Sequence, residues 1–310
     1  MDPTPQVFRA QIGLETYRFV SGRIEDALAL ARMQMAVAEA AGYSEFVLEA
    51  ECEVGGALVH LGRHREALAH LDRVVELYDP AHYGEHAVRF GRNPAAIAYA
   101  HRGLALACRD DLDGARLAIS AAAELLRAAR HPYSEAWVHC AAAAAALVLD
   151  QREIVGREAT LALQIAKREG FDDWLAQASV LRGWARVRGG DVDGMDELRR
   201  GLSAWEATGA LIMRPFFHGL LADALGVNGE PELGLVEIDA ALAWIPRGER
   251  WCEPELHRWR AELLLRCGDD AGARRSVQTA VSLARRTGAP GLERRAKATL
   301  AGVGGGSVVA

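Results

Sequence analysis

The sequence predicts an all-α protein, a right-handed α-solenoid of about seven helical hairpins followed by a C-terminal capping helix. Three observations support this fold class. A pair of small residues recurs along the chain, the prolines stand at proposed helix boundaries, and an alanine-rich composition with only 6% aromatic residues favours helix over sheet. At 310 residues the chain is long enough to bury a large core without disulfides or a structural metal.

Seven turn-forming residue pairs define the repeat, and they begin at Gly22, Gly62, Asp110, Gln151, Gly190, Gly229 and Gly268. We call the position seven residues before each pair the first anchor and the position five residues after its start the second anchor. Six of the seven residues in each set are Gly or Ala, which lets two antiparallel helices approach closely. Each unit is therefore predicted to be a helix, a tight turn and a second helix. The first anchors are Glu15, Gly55, Gly103, Ala144, Gly183, Ala222 and Ala261, and the second anchors are Ala27, Ala67, Ala115, Gly156, Met195, Gly234 and Ala273.

The units follow one another with steps of 40, 48, 41, 39, 39 and 39 residues between second anchors. The long step predicts an insertion loop over residues 79–93. Apolar residues of the second helices keep the 3.6-residue period, as at Leu68, Leu71 and Val74. We expect one continuous array over residues 7–301 and a disordered tail over 302–310; two sub-arrays hinged at the insertion are the alternative.

Proline placement supports these boundaries independently, because proline is excluded from helix interiors. Pro231 is predicted to open the second helix of the sixth unit, and Pro246 to close it. Pro290 precedes a short last helix that is predicted to cap the array. The prolines predicted to open first helices are Pro132, Pro215 and Pro254.

The spacing of small residues across a turn resembles the tetratricopeptide repeat, in which a Trp-x2-Leu-Gly-x2-Tyr segment precedes an Ala in the next helix. Leu replaces most of the aromatic residues here, and the period of 39–41 residues exceeds the family's 34. The resemblance implies longer helices than in the standard unit, and a concave surface lined by the first helix of each unit. The glycine place is taken by Gly55, Gly103 and Gly183, and the alanine place by Ala67, Ala115 and Ala273.

The last third of the chain carries a narrower resemblance, to the C-terminal repeat region of bacterial multidomain signalling ATPases. It rests on residues 209–216, on residues 219–224 and above all on the segment 249–265, which contains Trp251, Pro254 and Trp259. Those proteins pair a nucleotide-cyclase or helix-turn-helix output domain with a P-loop ATPase, and their repeats sense or dock. This chain holds no Gly-x4-Gly-Lys-[Ser/Thr] segment. The resemblance therefore implies either a C-terminal piece of such a regulator or a free-standing relative that acts in trans.

Composition argues against several classes of protein. With 42 acidic and 36 basic residues the net charge is −6, which disfavours a nucleic-acid platform. The N-terminal residues do not resemble a signal peptide, and the longest apolar run, residues 140–149, is too short to span a bilayer. Five cysteines without a Cys-x2-Cys pair indicate neither a disulfide framework nor a zinc site. We expect a cytoplasmic protein without cofactor, metal, membrane or nucleic-acid contact.

Two candidate reactive sites have simpler interpretations. His60 and His64 are four residues apart, but Gly62 between them is expected to break the helix, so capping or solvated histidines are favoured over a zinc site. Cys140 lies beside His139, but neighbouring residues of a helix point about 100° apart. Cys140 is therefore predicted to be a small core residue rather than a nucleophile.

The richest polar cluster lies near the C-terminal end and includes Glu255, Arg258 and Glu262. Acid–base chemistry is one interpretation of such a cluster. Their spacing of three and four residues is also that of ion pairs along one helix face, and we favour this second interpretation.

The concave surface is the predicted binding site. By the resemblance, the positions six and three before the first anchor, and one and four after it, face inwards. These positions are apolar in the central units and polar towards the ends, and a large apolar stretch is rarely left facing water. We predict that the groove binds a peptide, a helix or a partner domain, or a small apolar ligand; a curvature so tight that the groove closes into core is the alternative. The predicted groove residues are Ile97, Leu104, Val138, Gln177, Val180, Trp184, Phe216, Asp223, Glu255, Arg258 and Glu262.

The leading functional hypothesis is a non-catalytic interaction or sensor scaffold in bacterial signalling or regulation. The alternative is a small-molecule-sensing regulatory module, which an enclosed pocket holding Trp184 and a few polar groups would favour. An enzyme would need a buried histidine or carboxylate facing a pocket. A homo-oligomer is a further expectation, because terminal repeats need polar caps.

Overall fold

The computed structural model describes residues 5–82, 90–129 and 131–304. These ranges contain fifteen α-helices, two short 3-10 turns (Pro80–His82 and Ile245–Arg247) and no β-strand. None of these helices combines the length and the apolar character needed to cross a membrane. The helices are α1 (Pro5–Val20), α2 (Ile24–Ala41), α3 (Ser44–His60), α4 (His64–Leu77), α5 (Pro94–Cys108), α6 (Leu112–Ala129), α7 (Pro132–Val148), α8 (Arg152–Glu169), α9 (Asp172–Arg188), α10 (Gly194–Ala207), α11 (Arg214–Val227), α12 (Pro231–Trp244), α13 (Glu253–Arg266), α14 (Asp270–Arg286) and α15 (Pro290–Gly304).

Consecutive helices form seven hairpins, from α1 with α2 to α13 with α14, within the described ranges. From the second hairpin onward, each helix packs more closely on its hairpin partner than on any other helix. The last helix, α15, packs on α14 and α13 and also reaches α5. The predicted fold class is confirmed as a helical array built from stacked pairs with a capping helix at its C-terminal end.

Every hairpin is closed by the same turn. The second residue after the first helix adopts the left-handed conformation, and the next backbone N–H bonds to a carbonyl five residues earlier, as from Arg63 to Leu58 at 2.9 Å. This is the Schellman arrangement, which satisfies carbonyl groups left over at a helix end. The left-handed residues are Gly22, Gly62, Asp110, Asp150, Gly190, Gly229 and Gly268.

The position of Asp150 corrects the register of the fourth unit. Its φ of 60° marks the turn one residue before the predicted pair, because aspartate tolerates the left-handed conformation that glycine takes elsewhere. The anchors of this unit then become Ala143 and Val155, both fully buried, whereas the predicted second anchor Gly156 is half-buried. The turns are then separated by steps of 40, 48, 40, 40, 39 and 39 residues.

The anchors mark the places where paired helices nearly touch. A Cβ atom on Gly183 would lie 2.5 Å from the backbone nitrogen of Leu198 and 2.8 Å from the carbonyl oxygen of Gly194. A Cβ atom on Gly234 would lie 2.8 Å from the carbonyl oxygen of Ala222, which is the first anchor of the same hairpin. Small residues are therefore required at these positions. The anchors that are not Gly or Ala are Val155 and Met195 on second helices and Glu15, a fully buried carboxyl group at a first anchor.

The prolines stand where the sequence places them. Pro94, Pro132, Pro231 and Pro290 are the first residues of helices, and Pro246 lies in the 3-10 turn that follows α12. Of the predicted insertion loop, residues 83–89 lie outside the described residues. Helix α15 runs to residue 304, into the predicted tail, and residues 305–310 lie outside the described part. The single array over residues 7–301 stays a prediction.

The array curves until its later units meet the turns of its first units. The Val20 carbonyl oxygen accepts hydrogen bonds from the backbone nitrogens of Leu211 at 2.8 Å and Ile212 at 3.1 Å. The His60 carbonyl oxygen likewise accepts from Arg250 at 2.8 Å and Trp251 at 3.1 Å. Residues far apart in sequence are thus joined through the backbone, and the concave surface is closed at one end.

The close approach of α9 and α10 yields a direct test by substitution. Gly183→Ala places its methyl group against backbone atoms that cannot rotate away, so we expect a loss of about 1–3 kcal/mol of unfolding free energy. Urea denaturation followed by circular dichroism measures it. Gly13→Ala in α1 is the matched control, since nothing lies within 4 Å of its added Cβ atom. It should keep or raise stability by about 0.5–1 kcal/mol; equal losses in both variants contradict the packing role of the anchor.

Candidate functional site

The curved array encloses a cavity of about 660 Å³, which we call the cup. Its walls come from the first helices of the first five units, α1, α3, α5, α7 and α9, and its floor from residues 210–213 between α10 and α11. The C-terminal ends of these helices approach the floor. Arg9, Gly91 and Tyr133 are exposed lining residues at the opposite ends of the helices, and Gly13, Thr16 and Val20 along α1 and Thr208 beside the floor are exposed as well, so the cup is open at those helix ends and along α1.

Aromatic rings form a continuous strip around the cup. The ring of His60 lies 5.0 Å from that of Phe19 and 5.7 Å from that of His101, and His101 lies 4.9 Å from Trp137, all in edge-on contact. Such rings offer both apolar area and a negative face to a bound molecule. Four further aromatic residues complete the lining: Phe90, Tyr133, Trp174 and Trp205.

A buried carboxylate, Glu249, holds the floor in place. Its Oε2 accepts from the backbone nitrogen of Met213 at 2.7 Å, and its Oε1 accepts from Trp251 Nε1 at 2.6 Å. The Nδ1 atom of His60 lies 3.0 Å from the same Oε1 atom. Glu249 is only 4% exposed, so these polar groups satisfy one another without water. We call Glu249, His60, Trp251 and Met213 the clasp, because they tie the second unit to the later part of the array.

A polar patch interrupts the apolar wall near the opening. Arg92 donates to Glu49 Oε2 from Nη2 at 2.5 Å and from Nε at 3.1 Å, and Nη2 also donates to Glu53. Glu49 is completely buried, whereas Glu53 lines the cup with 11% of its side chain exposed. We call Glu15, Glu49, Glu53 and Arg92 the carboxylate patch.

Glu15 gives this patch its unusual electrostatics. It faces Glu53 from α1 and is fully buried, and no hydrogen-bond donor reaches either of its oxygens among the described residues. Burial, and after it the charge of Glu53, raise the pKa of Glu15 far above its ordinary value. Glu15 is therefore protonated at neutral pH.

His101 supplies a second unusual group. A Cβ atom on Gly56 would lie 2.8 Å from His101 Cε1, so this glycine makes room for the imidazole against α3. Burial, followed by the neighbouring His60 and Arg92, lowers the pKa of His101 well below its ordinary value. The ring is thus neutral at physiological pH, and its Nδ1 atom has no hydrogen-bond partner in the described part of the chain.

The predicted groove residues fall into two groups. Ile97, Leu104 and Gln177 line the cup. The others lie away from the cup: Val138 is packed in a cluster with Ala96 and Ala100, and Val180, Trp184 and Phe216 lie in the main core. Their burial follows from the closure of the array, which covers the inner surface of the later units.

The polar members of the predicted groove form internal networks. Trp184 Nε1 donates to Asp223 Oδ2 at 2.7 Å. Arg258 donates to Glu255 at 2.7 Å and also pairs with Glu262 on the same helix face. Burial raises the pKa of Glu255, but Arg258 and Arg295 outweigh it and lower that pKa to about 2.

The candidate reactive residues lie in the core, so the prediction that the histidines are solvated or cap a helix is wrong. His60 ends α3 and His64 begins α4, so Gly62 separates them onto different helices, as predicted. His64 is fully buried, and burial is the main reason why its pKa falls to about 4. Cys140 is fully buried, and burial raises the pKa of its thiol, which makes it a poor nucleophile.

The register error in the fourth unit explains one missed residue. Counting six back from the corrected anchor Ala143 gives Trp137, which lines the cup, instead of Val138, which does not. The same rule applied to the first unit yields four lining residues that the prediction left out: Arg9, Ile12, Thr16 and Phe19. The sequence marks Glu15 as unusual, because it occupies a first anchor that is Gly or Ala in every other unit.

Comparison with known proteins adds little beyond this geometry. No protein-family model matches the chain. An uncharacterised protein from Rhizobium meliloti (strain 1021) is 28% identical over 254 residues, which cover 79% of this chain. The chain spans about a quarter of the length of this relative, 24%.

Solved structures similar to this chain are repeat proteins. A tetratricopeptide repeat protein from Parabacteroides merdae has a TM-score of 0.43 at 11% identity, covering 94% of this chain and 99% of that one. The P58(IPK) TPR domain has a TM-score of 0.23 at 12% identity over 95% and 98% of the two chains. A circular tandem repeat protein has a TM-score of 0.24 at 16% identity over 96% and 82%. With every TM-score below 0.5, none of these structures assigns a function.

The clasp yields a stability prediction. Glu249→Gln leaves one buried donor facing an amide N–H₂ group instead of an oxygen, so we expect a loss of about 1–3 kcal/mol in the free energy of unfolding. Urea denaturation at neutral pH measures this loss. Glu153→Gln on α8, whose side chain is 75% exposed, is the control and should stay within about 0.5 kcal/mol of the parent. A Glu249→Gln protein as stable as the control contradicts the role of the clasp.

Proposed function

We propose that this chain is a non-catalytic ligand-sensing module, in which a small and mostly apolar molecule occupies the cup. The enclosed cavity with its aromatic lining is the observation that supports this function. A volume of about 660 Å³ lies within the range typical of small-molecule sites. Most of the lining is apolar, with a few polar groups near the opening that can orient a ligand.

The closure of the array favours a small molecule over a peptide that runs along the groove. Residues 210–213 block the far end of the cup, and two backbone hydrogen bonds to the Val20 carbonyl oxygen fix them there. A peptide or helix lying along the concave surface needs both ends of the surface open. The blocked end therefore limits the length of the molecule that the cup can hold.

The floor of the cup can couple ligand binding to the stability of the closed array. Met213 lines the cup and adopts the left-handed conformation at φ 63°. Its backbone N–H donates to Glu249 within the clasp. Trp205 also lines the cup, and its Nε1 donates to the Ile212 carbonyl oxygen at 3.1 Å. A ligand that packs on this floor stabilises the closed array relative to an opened one, since binding to one state shifts the equilibrium towards it.

Binding is proposed rather than catalysis, although a buried histidine and a buried carboxyl group lie at the cup wall. The thiol in the wall, Cys52, lies 3.5 Å from the Pro94 carbonyl oxygen, and burial raises its pKa well above the ordinary value. Neutral His101 and protonated Glu15 flank no activated nucleophile. Acid–base groups that have no activated nucleophile beside them favour a role in ligand binding over a role in catalysis.

The setting that we propose for this sensor is bacterial signalling or regulation in the cytoplasm. The resemblance of residues 249–265 to the repeats of signalling ATPases supports it, as does similarity to a longer bacterial protein. In this proposal the module acts as one arm of a regulator whose output lies in other domains or in a separate protein.

A second candidate function is a scaffold that binds a protein partner at the cup's opening. Tyr133 is 40% exposed there, and its ring contacts Phe171 at 5.3 Å. A bulky apolar side chain at the end of a partner peptide or helix can enter from this side. The cup then anchors one residue of the partner instead of a free ligand.

Filling the cup tests the proposed function. N-phenyl-1-naphthylamine, a neutral fluorescent probe, should bind the parent protein saturably with a rise in emission. Ala141 is partly exposed in the cup wall, so Ala141→Phe should occupy the space and weaken binding at least tenfold, about 1.4 kcal/mol. Fluorescence titration measures the dissociation constant.

Ala240→Phe on the exposed face of α12 is the matched control for that titration, and it should bind the probe as the parent does. Absence of saturable binding, or equal loss in both variants, contradicts a ligand site in the cup. Displacement of the probe by a peptide ending in Trp, with no displacement by the amide of tryptophan alone, favours the scaffold.

A further inference from the structure

Besides Asp173, which accepts from the Tyr133 hydroxyl at 3.1 Å, the carboxylate patch is the part of the cup wall that can select a ligand by charge. It brings three carboxyl groups, Glu15, Glu49 and Glu53, around one guanidinium group, Arg92. With Glu15 protonated, the patch retains one excess negative charge. Glu53 is the member of the three that lines the cup, so this charge is presented to whatever enters.

The cation already in the patch is paired with two carboxylates. Arg92 makes two hydrogen bonds to Glu49 and one to Glu53. These carboxylates offset its charge, which disfavours an anionic ligand. The other arginine that lines the cup, Arg9, is exposed at the opening and does not enclose a ligand.

His101 also disfavours an anionic ligand. It lines the cup near Glu53, because Gly56, against which its ring packs, lies one helical turn after Glu53 on α3. A neutral imidazole offers one ring nitrogen as an acceptor and carries no charge to attract an anion. Its Nδ1 atom has no hydrogen-bond partner in the described structure, but this atom is covered and lies against α3 at Gly56, so the ring contributes an uncharged surface to the cup wall. A cationic ligand suits Glu53 and this uncharged ring better than an anionic one.

Resting on the proposed function, we infer that the ligand of the cup is an arylalkylamine in its ammonium form. Its charged nitrogen binds the Glu53 carboxylate. Its aromatic body lies on the strip formed by Phe19, His101 and Trp137. The ring faces add to the attraction, because a cation held within about 6 Å of an aromatic face is stabilised by the ring's charge distribution.

Glu15 explains how the patch stays folded without a ligand. A proton on Glu15 lets its carboxyl group donate to Glu53, so two carboxyl groups lie side by side without mutual repulsion. The charged groups facing Glu15 are Glu53 and Glu49 of α3 and Arg92 ahead of α5. An ammonium ion bound beside Glu53 compensates the excess negative charge of the carboxylate patch.

Three ligands of similar shape and different charge test this inference. They are phenethylammonium, neutral 2-phenylethanol and anionic 3-phenylpropionate, each measured by displacement of N-phenyl-1-naphthylamine at pH 7. The ammonium ion should bind at least tenfold more tightly than the alcohol, and the propionate should bind more weakly than either. If the probe binds and the ammonium ion has no advantage, the inferred ligand class is wrong while the proposed function stands. If the probe itself does not bind, the proposed function fails.

Substitution assigns the charge to one residue. Glu53→Gln should abolish the tenfold preference for the ammonium ion and leave the affinity for 2-phenylethanol within about twofold. Glu153→Gln, at an exposed position of α8 outside the cup, is the matched control and should keep the preference. A preference that survives in Glu53→Gln, or is lost equally in Glu153→Gln, overturns the assignment to Glu53.

A second measurement keeps the test decisive if Glu53→Gln does not fold. In the parent protein, the advantage of phenethylamine over 2-phenylethanol should fall as the pH rises through the amine's own pKa. The trimethylated quaternary analogue cannot lose its charge, and its affinity should hold over the same range. A phenethylamine affinity that stays constant as the amine loses its proton overturns the inference.

Discussion

The close approach of two helices within each hairpin is the constraint on which the rest of this structure depends. Where Gly183 meets the backbone of Leu198 and where Gly234 meets Ala222, no side chain separates the helices. A shared turn with one left-handed residue sets the same geometry in every unit. Because each hairpin has nearly the same shape, stacking them repeats a nearly constant rotation, and the array acquires a steady curvature.

That curvature makes the cup. The first turns of the array meet segments almost two hundred residues later, and the contacts are backbone hydrogen bonds reinforced by the buried carboxylate of Glu249. An open groove offers its whole inner surface to a partner, whereas this closed one keeps only the part enclosed by the first five units. The same closure turns the inner faces of the later units into core, and Trp184 bonds internally to Asp223.

The departures from the repeat concentrate at the cup. Glu15 places a carboxyl group where every other unit has Gly or Ala, and Gly56 clears space for the ring of His101 beside the small anchor Gly55. A buried carboxyl group without a donor lowers stability, as does a buried imidazole without a partner. Natural sequences tolerate such local conflicts mainly at functional sites. The presence of the carboxylate patch is thus better explained by a role in ligand binding than by a contribution to folding stability.

The sequence by itself determined the hairpins. Small residues at fixed spacing, turn residues and prolines are local signals, so helix boundaries, the number of units and the separation of His60 from His64 could all be predicted. The register of the fourth unit could not, because Asp150 takes a conformation for which glycine is the stronger signal. Only the tertiary structure decided which of the inward-facing residues line the cup and which are buried in the core. The small rotation between neighbouring hairpins is set by packing and accumulates over the whole array, and no single segment encodes where residues 210–213 and Glu249 finally meet α1 and α3.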